Sequence, residues 1–225
     1  MNKTVKSTLI LGTIALISGV ILASLNTVTS GRIEELNREK EQRALSQVLP
    51  GYGKITEKKI NINGNSVSYW TAEKTDGGKK QNGYAFIASE SGYSGNIVSM
   101  IGINEKFMIE GIYILQQTET PGLGARSEEV ISDLNFWDIL AGKKETEAKK
   151  PWFQRQFTGL NVSTGIKLVK KGNWSESNRD ELLKNNEITA ITGATITTSA
   201  VRRSIENAVA EFKDVIIPAD NGEAL

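Results

Sequence analysis

Residues Thr189–Val201 read T-A-I-T-G-A-T-I-T-T-S-A-V, and here a chain rich in strands and tight turns passes into its best helix. Beyond it Val201, Ile205, Ala208, Val209 and Phe212 recur at helical spacing and form one apolar stripe. Thr195, Thr197, Thr198 and Ser199 therefore crowd a helix N-terminus, where unpaired N–H groups and the positive end of the dipole favour a phosphate. Gly193 and Ala194 leave room for a bulky group to reach the Thr195 hydroxyl. On these residues alone a Thr/Ser N-cap, which needs no ligand, is the preferred reading.

Working back from this stretch, the middle of the chain alternates like an antiparallel meander. Lys54–Ile62 faces Ser66–Lys74 across Asn63-Gly64-Asn65, a strong hairpin signal. Asp76-Gly77-Gly78 marks a turn before Gly83–Ser89, and Asn104-Glu105-Lys106 joins Asn96–Ile103 to Phe107–Gln116. Ser127–Ile131 and Phe136–Leu140 are candidate helices, Lys143–Lys150 is a polar connection, and Gly165–Val169 is a further strand. Trp137, Trp152, Phe153 and Phe157 are expected in the core. The fold class expected is α+β, an antiparallel sheet with flanking helices, preceded by one N-terminal transmembrane helix.

No charged residue occurs from Ser7 to Gly31, and Leu9–Leu25 is nearly all apolar or small. A helix of about 20 residues crosses a bilayer core, so the segment suffices as an anchor. A cleaved signal peptide fits less well, because Ile21 or Leu22 would stand where the cleavage site wants a small residue. Arg32–Val48 continues as a charged amphipathic helix that Leu49-Pro50-Gly51 ends. The expected organisation is a cytoplasmic N-terminus over residues 1–8, an anchor over 9–31, a juxtamembrane helix over 32–50 and one domain over 51–225. Lys3 and Lys6, which have no acidic neighbours, favour an N-terminus held in the cytoplasm.

Composition limits the chemistry. The chain has no cysteine and no histidine, which excludes protein-ligated iron–sulfur clusters, His-ligated haem, Cys/His zinc sites and Ser–His or Cys–His nucleophiles. No metal site is expected, and any redox work must reside on an organic cofactor. Net charge is +1 from 27 basic and 26 acidic residues, so no nucleic-acid surface is indicated.

Three segments carry a family resemblance. Thr192-Gly193-Ala194-Thr195 resembles the [S/T]-G-A-T flavinylation motif of the FMN-binding domain in the G subunit of Rnf complexes. Glu119-Thr120-Pro121-Gly122-Leu123-Gly124 matches that family's E-T-P-G-L-G run. Gly92-Tyr93-Ser94-Gly95-Asn96-Ile97 resembles its glycine-rich turn. Without the resemblance, Pro121-Gly122 reads simply as a type II turn. The C subunit of the sodium-pumping NADH:quinone reductase carries a similar domain.

The resemblance implies FMN joined through its phosphate to Thr195. It also implies a pocket formed by Thr192, Gly193, Ala194, Thr197, Glu119, Thr120, Gly122, Leu123, Gly124 and Tyr93, with Leu123 as apolar cover. It implies an electron-carrying membrane subunit whose flavin domain lies outside the cytoplasm, whose partners are the other Rnf-type subunits, and which a flavin transferase loads. A role in the sodium-pumping reductase, a stand-alone flavin carrier and a non-redox membrane scaffold are the alternatives. Two departures stand out: Thr189 occupies a position usually held by Asp, and Gln116 and Gln117 stand where a His often precedes E-T-P-G-L-G.

Overall fold

The computed structural model describes residues 3–62, 65–76, 78–130, 150–169 and 174–216. It divides into two compact units, Met1–Arg43 and Ala44–Leu225.

The first unit is helical, the greater part of α1 (Lys3–Val48). By length and composition α1 is able to cross a membrane. Leu9, Leu11, Leu16, Ile21 and Leu25 stand exposed along it. Hydroxyls in this apolar stretch turn back on the helix: Thr13 donates to the Leu9 carbonyl at 2.9 Å and Ser24 to that of Val20 at 2.8 Å. Such bonds hide polar groups where no water is at hand. Farther along, Arg38 pairs with Glu34 at 3.0 Å and Arg43 with Glu39 at 3.5 Å, the helical i, i+4 spacing.

The second unit is built on a five-stranded sheet in the order β1-β2-β3-β4-β5. Its strands are β1 (Ile55–Ile62), β2 (Asn65–Asp76), β3 (Lys79–Ser91), β4 (Asn96–Asn104) and β5 (Ile109–Gln116), and each pairs antiparallel with the next. This is the expected meander. The Ile62↔Asn65 pairing closes the first hairpin around Asn63-Gly64, two residues outside those described.

Strand β4 is buried on both faces, as a nearly unbroken apolar run requires. On one face Ile97, Ile101 and Ile103 join Phe86, Ile112 and the inner stripe of α4 (Thr195–Glu211) in the main core. Phe212 completes that stripe, its ring 5.3 Å from Phe86 and 4.9 Å from Tyr84. On the other face Met100, Trp70 and Ala85 enclose the last turn of α1, where Ala44, Val48 and Leu49 are buried.

Two glycines make that second contact possible. Gly102 and Gly111 lie opposite each other on β4 and β5. A side chain at Gly102 would overlap the Val48 carbonyl, and one at Gly111 would come within 2.7 Å of the Gln47 oxygen. Lys150 then donates to that Gln47 oxygen at 2.6 Å, capping the helix end.

Three elements lie beyond the sequence reading. A single turn, α2 (Trp152–Arg155), buries Trp152 and Phe153, and Phe157 follows into the core. After α3 (Arg179–Asn185), β7 (Glu187–Thr189) pairs in parallel with β6 (Lys167–Val169). Only β6 was anticipated. The helix expected over Ser127–Ile131 is instead a 3-10 turn over Gly124–Glu128. The Thr120 carbonyl takes both the Leu123 and Ala125 N–H groups, which winds the chain early, and Glu129 is already extended. Trp137 and Phe136–Leu140 lie outside the described residues.

Tyr52 is wedged against Gly83, where a Cβ would meet its ring at 2.5 Å. Burial, then the carboxylates of Glu110 and Glu105, push its phenol up to about 12 from an ordinary value of 10.0. The folded state therefore favours the protonated phenol. Its contribution to stability is complete below pH 10 and is lost as pH rises toward about 12. Tyr52→Phe is expected to lessen the fall in stability over that interval, measured by urea unfolding. The 295 nm titration of the variant should lose its latest-ionising tyrosine.

Candidate flavin pocket at the start of helix α4

Three turns converge on the N-terminus of α4. The first spans 92–95 and is closed by the Gly92 N–H on the Gly95 carbonyl at 2.8 Å. The second spans 120–123, closed by Leu123 N–H on Thr120 O at 3.1 Å, with Gly122 at φ 76° as a type II turn requires. The third spans 191–194, closed by Ala194 N–H on Ile191 O at 2.9 Å, with Gly193 at φ 78°.

Glu119 ties these turns together. It is 6% exposed. Its Oε1 accepts the N–H groups of Tyr93 and Ser94 at 2.9 and 2.8 Å, and its Oε2 accepts the Thr197 hydroxyl. Glycine is required around it: a Cβ at Gly124 would lie 2.5 Å from both Glu119 Oε2 and Thr197 Oγ1. Gln117 holds the approach, accepting the Glu119 N–H at 2.7 Å and donating to Glu128 at 2.8 Å.

The threonines of the helix start have separate tasks. Thr198 is fully buried; its Oγ1 accepts the Ile191 N–H at 3.0 Å and donates to the Ala194 carbonyl at 3.1 Å, so it clamps the third turn from beneath. Thr197 is committed to Glu119. Neither is an N-cap. The cap position is Ala194, and no side chain caps the helix. Thr195 is half-buried, and among the described residues its hydroxyl has no hydrogen-bond partner.

Between the turns lies a cavity of about 420 Å³ lined by Tyr93, Glu119, Thr120, Leu123, Gly124, Gly193, Ala194, Thr195, Ile196 and Thr197. Leu123 and Ile196 are exposed at its rim, and Tyr93 is 72% exposed.

A match to the FMN-binding domain covers residues 92–210, and a match to the RnfG N-terminal region covers residues 1–48. The chain belongs to the FMN-binding domain family. It is 29% identical over 219 residues to the G subunit of the Na(+)-translocating ferredoxin:NAD(+) oxidoreductase complex of Acetobacterium woodii, covering 92% of this chain and 90% of that relative. It is 26% identical to the G subunit of the ion-translocating oxidoreductase complex of Methanosarcina acetivorans, covering 93% and 96%. Among solved structures it is similar to the C subunit of the Na(+)-translocating NADH-quinone reductase of Parabacteroides distasonis, with a TM-score of 0.49 and 20% identity, covering 80% of this chain and 93% of that one.

Of the residues named from sequence, the cavity gathers all but Thr192 and Gly122, which occupy corners of the turns that shape it. Ile196 was passed over. It stands off the buried stripe of α4, and an apolar side chain with no core to enter was the available signal.

The residues present fit an FMN group. The cavity lies within the roughly 300–1,000 Å³ usual for cofactor sites. The uncapped helix start offers N–H donors for a phosphate, and the rim offers apolar surface for a flat ring. Thr198→Val is expected to cost about 1–3 kcal/mol in urea unfolding, since the buried Ile191 N–H loses its acceptor. Thr195→Val should stay within about 0.5 kcal/mol. Equal losses in the two variants would contradict these separate tasks.

Proposed function

We propose that Thr195 carries FMN as a phosphoester and that the chain is the membrane-anchored, electron-carrying G subunit of an Rnf-type ion-translocating ferredoxin:NAD oxidoreductase. The observation that carries this reading is the Thr195 hydroxyl, without a partner among the described residues, at an uncapped helix start in a cavity that the Glu119 carboxylate also lines. The backbone N–H groups of the first turn of α4 would receive the phosphate. Tyr93, Leu123 and Ile196 would supply the apolar surface for the ring. Bound flavin exchanges one or two electrons and so links pairwise and single-electron carriers.

Attachment needs an activated phosphate, because a hydroxyl and FMN do not condense unaided in water. A flavin dinucleotide, FAD, contains FMN already joined to AMP by an anhydride. Thr195 Oγ would form the new bond to the FMN phosphorus as the anhydride P–O bond breaks, with AMP as the leaving group and the hydroxyl proton given up to a base outside this cavity.

Residues 9–31 would span the membrane, residues 32–50 form the juxtamembrane helix, and residues 51–225 lie outside the cytoplasm. Ion movement belongs to partner subunits, since Ser7–Gly31 contains no ionisable side chain.

Thr195→Ala is expected to abolish in-gel flavin fluorescence and the corresponding mass increment in protein made beside a flavin transferase, whereas Thr195→Ser retains both. A wild-type chain that takes up no flavin would favour the non-redox scaffold. Leu123→Ala should keep the covalent link and shift the flavin absorption bands, because water gains access to the ring.

Topology is tested independently. The chain has no native cysteine, so Lys59→Cys, at an exposed strand position, reports alone. It should react with a membrane-impermeant maleimide in intact spheroplasts. Reaction only after lysis would invert the orientation.

A further inference from the structure

Among the described residues, the strand that leads into the proposed acceptor turn has a strand partner on one edge only. β7 pairs with β6, and the Ala190 N–H continues that ladder to the Val169 carbonyl at 3.0 Å. In a parallel pair, alternate residues direct their peptide groups away from the partner, and at Thr189 these groups point toward Gln156. The Gln156 Oε1 accepts the Thr189 N–H at 2.8 Å and also the Thr189 hydroxyl at 2.8 Å. Its Nε2 donates to the Thr189 carbonyl at 3.4 Å. One carboxamide thus takes the place of a neighbouring strand's peptide.

This contact lies inside the protein. Gln156 and Thr189 are both buried, as are their chain neighbours Phe157 and Ile188. Two residues beyond Thr189, the Ile191 N–H is held by Thr198 and the Ile191 carbonyl closes the turn before Thr195. The segment is therefore fastened at its entrance by Gln156 and at its exit by Thr198.

We infer that Gln156 is a positioning residue for flavin attachment: acting through Thr189, it fixes the strand and turn that present the Thr195 hydroxyl at the cavity. The inference rests on Thr195 being the acceptor. Gln156 contributes no atom to the cavity lining, so its effect reaches the reaction through the backbone alone. A misplaced nucleophile is costly: a shift of about 1 Å can reduce a rate by about 100-fold. Gln156 also accounts for the Thr189 hydroxyl, which is consumed inside the protein and not displayed to an approaching enzyme.

The test uses the full-length chain in detergent, with FAD and a flavin transferase, at a temperature where every variant is folded. Gln156→Leu should lower the rate of flavin incorporation about tenfold or more. Gln156→Glu keeps the acceptor for the Thr189 N–H and hydroxyl and, its buried carboxyl being favoured in the protonated form, keeps a donor for the Thr189 carbonyl, so it should recover most of that rate. Val209→Ala, a core change on α4 away from Thr189, controls for general destabilisation and should stay within about twofold of wild type. Amide exchange at Thr189–Ala194 should accelerate in Gln156→Leu and not in Val209→Ala.

An unchanged rate in Gln156→Leu would overturn the inference, as would an equal fall in Gln156→Leu and Val209→Ala. So would Gln156→Glu behaving no better than Gln156→Leu. The Thr195 reading fails differently: wild type takes up no flavin, or Thr195→Ala takes it up as wild type does.

Discussion

A buried carboxylate holds this site together. Glu119 accepts two backbone N–H groups from the glycine-rich turn and a hydroxyl from the first turn of α4. The three segments involved lie far apart in sequence and have little else in common. Charge-assisted bonds to a carboxylate are about twice as strong as neutral ones, and removing a partner from a buried charged group is costly. Glu119 therefore fixes the spacing of the turns, and the cavity is the space that remains between them. The glycines follow from this requirement, since Gly92 and Gly124 lie where a Cβ would strike its oxygens.

The rest of the fold serves to bring those segments to one place. The meander places the turn before β4 and the loop after β5 at the same end of adjacent strands. The α4 stripe, completed by Phe212 and packed on Phe86 and Ile101, brings the helix start to that end. Burial of one such aromatic side chain contributes about 1.5–3 kcal/mol, so the helix is held by its middle and tail. Its first turn is then free to form the site without stabilising the helix. On the opposite face, Gly102 and Gly111 let the end of α1 lie directly on the sheet.

Local patterns made much of this legible. Strand alternation and the Asn-Gly turn predicted β1 and β2 to within a few residues, and the apolar spacing from Val201 to Phe212 predicted α4. The pocket's loops could be named because their glycines and Thr195 lie in contiguous motifs that resemble those of a known family. What escaped depends on contacts distant in sequence. Strand β7 is three residues long, too short to show a period, and is defined by its pairing with β6. A sequence reading makes Thr198 an interchangeable capping residue, and only the packed turn shows its hydroxyl holding Ile191. Gln156 is a polar residue among aromatics, and nothing local ties it to Thr189, 33 residues away.

The shape of the cavity bears on why a covalent link would be needed at all. At about 420 Å³ it is toward the small end for a cofactor of this size, and Tyr93, Leu123 and Ile196 on its rim remain exposed. A flavin held without a bond ordinarily relies on a pocket that buries most of its surface. A shallow site forgoes much of that burial and would lose to dilution a cofactor held by contacts alone. The phosphoester proposed at Thr195 would remove that dissociation equilibrium while leaving the isoalloxazine ring electronically separate from the chain. The exposed rim would then be an advantage, since electrons would have to reach the ring across it. On that reading attachment at one end and openness at the other are complementary requirements, and the apolar rim and the Thr195 hydroxyl, without a partner among the described residues, supply both.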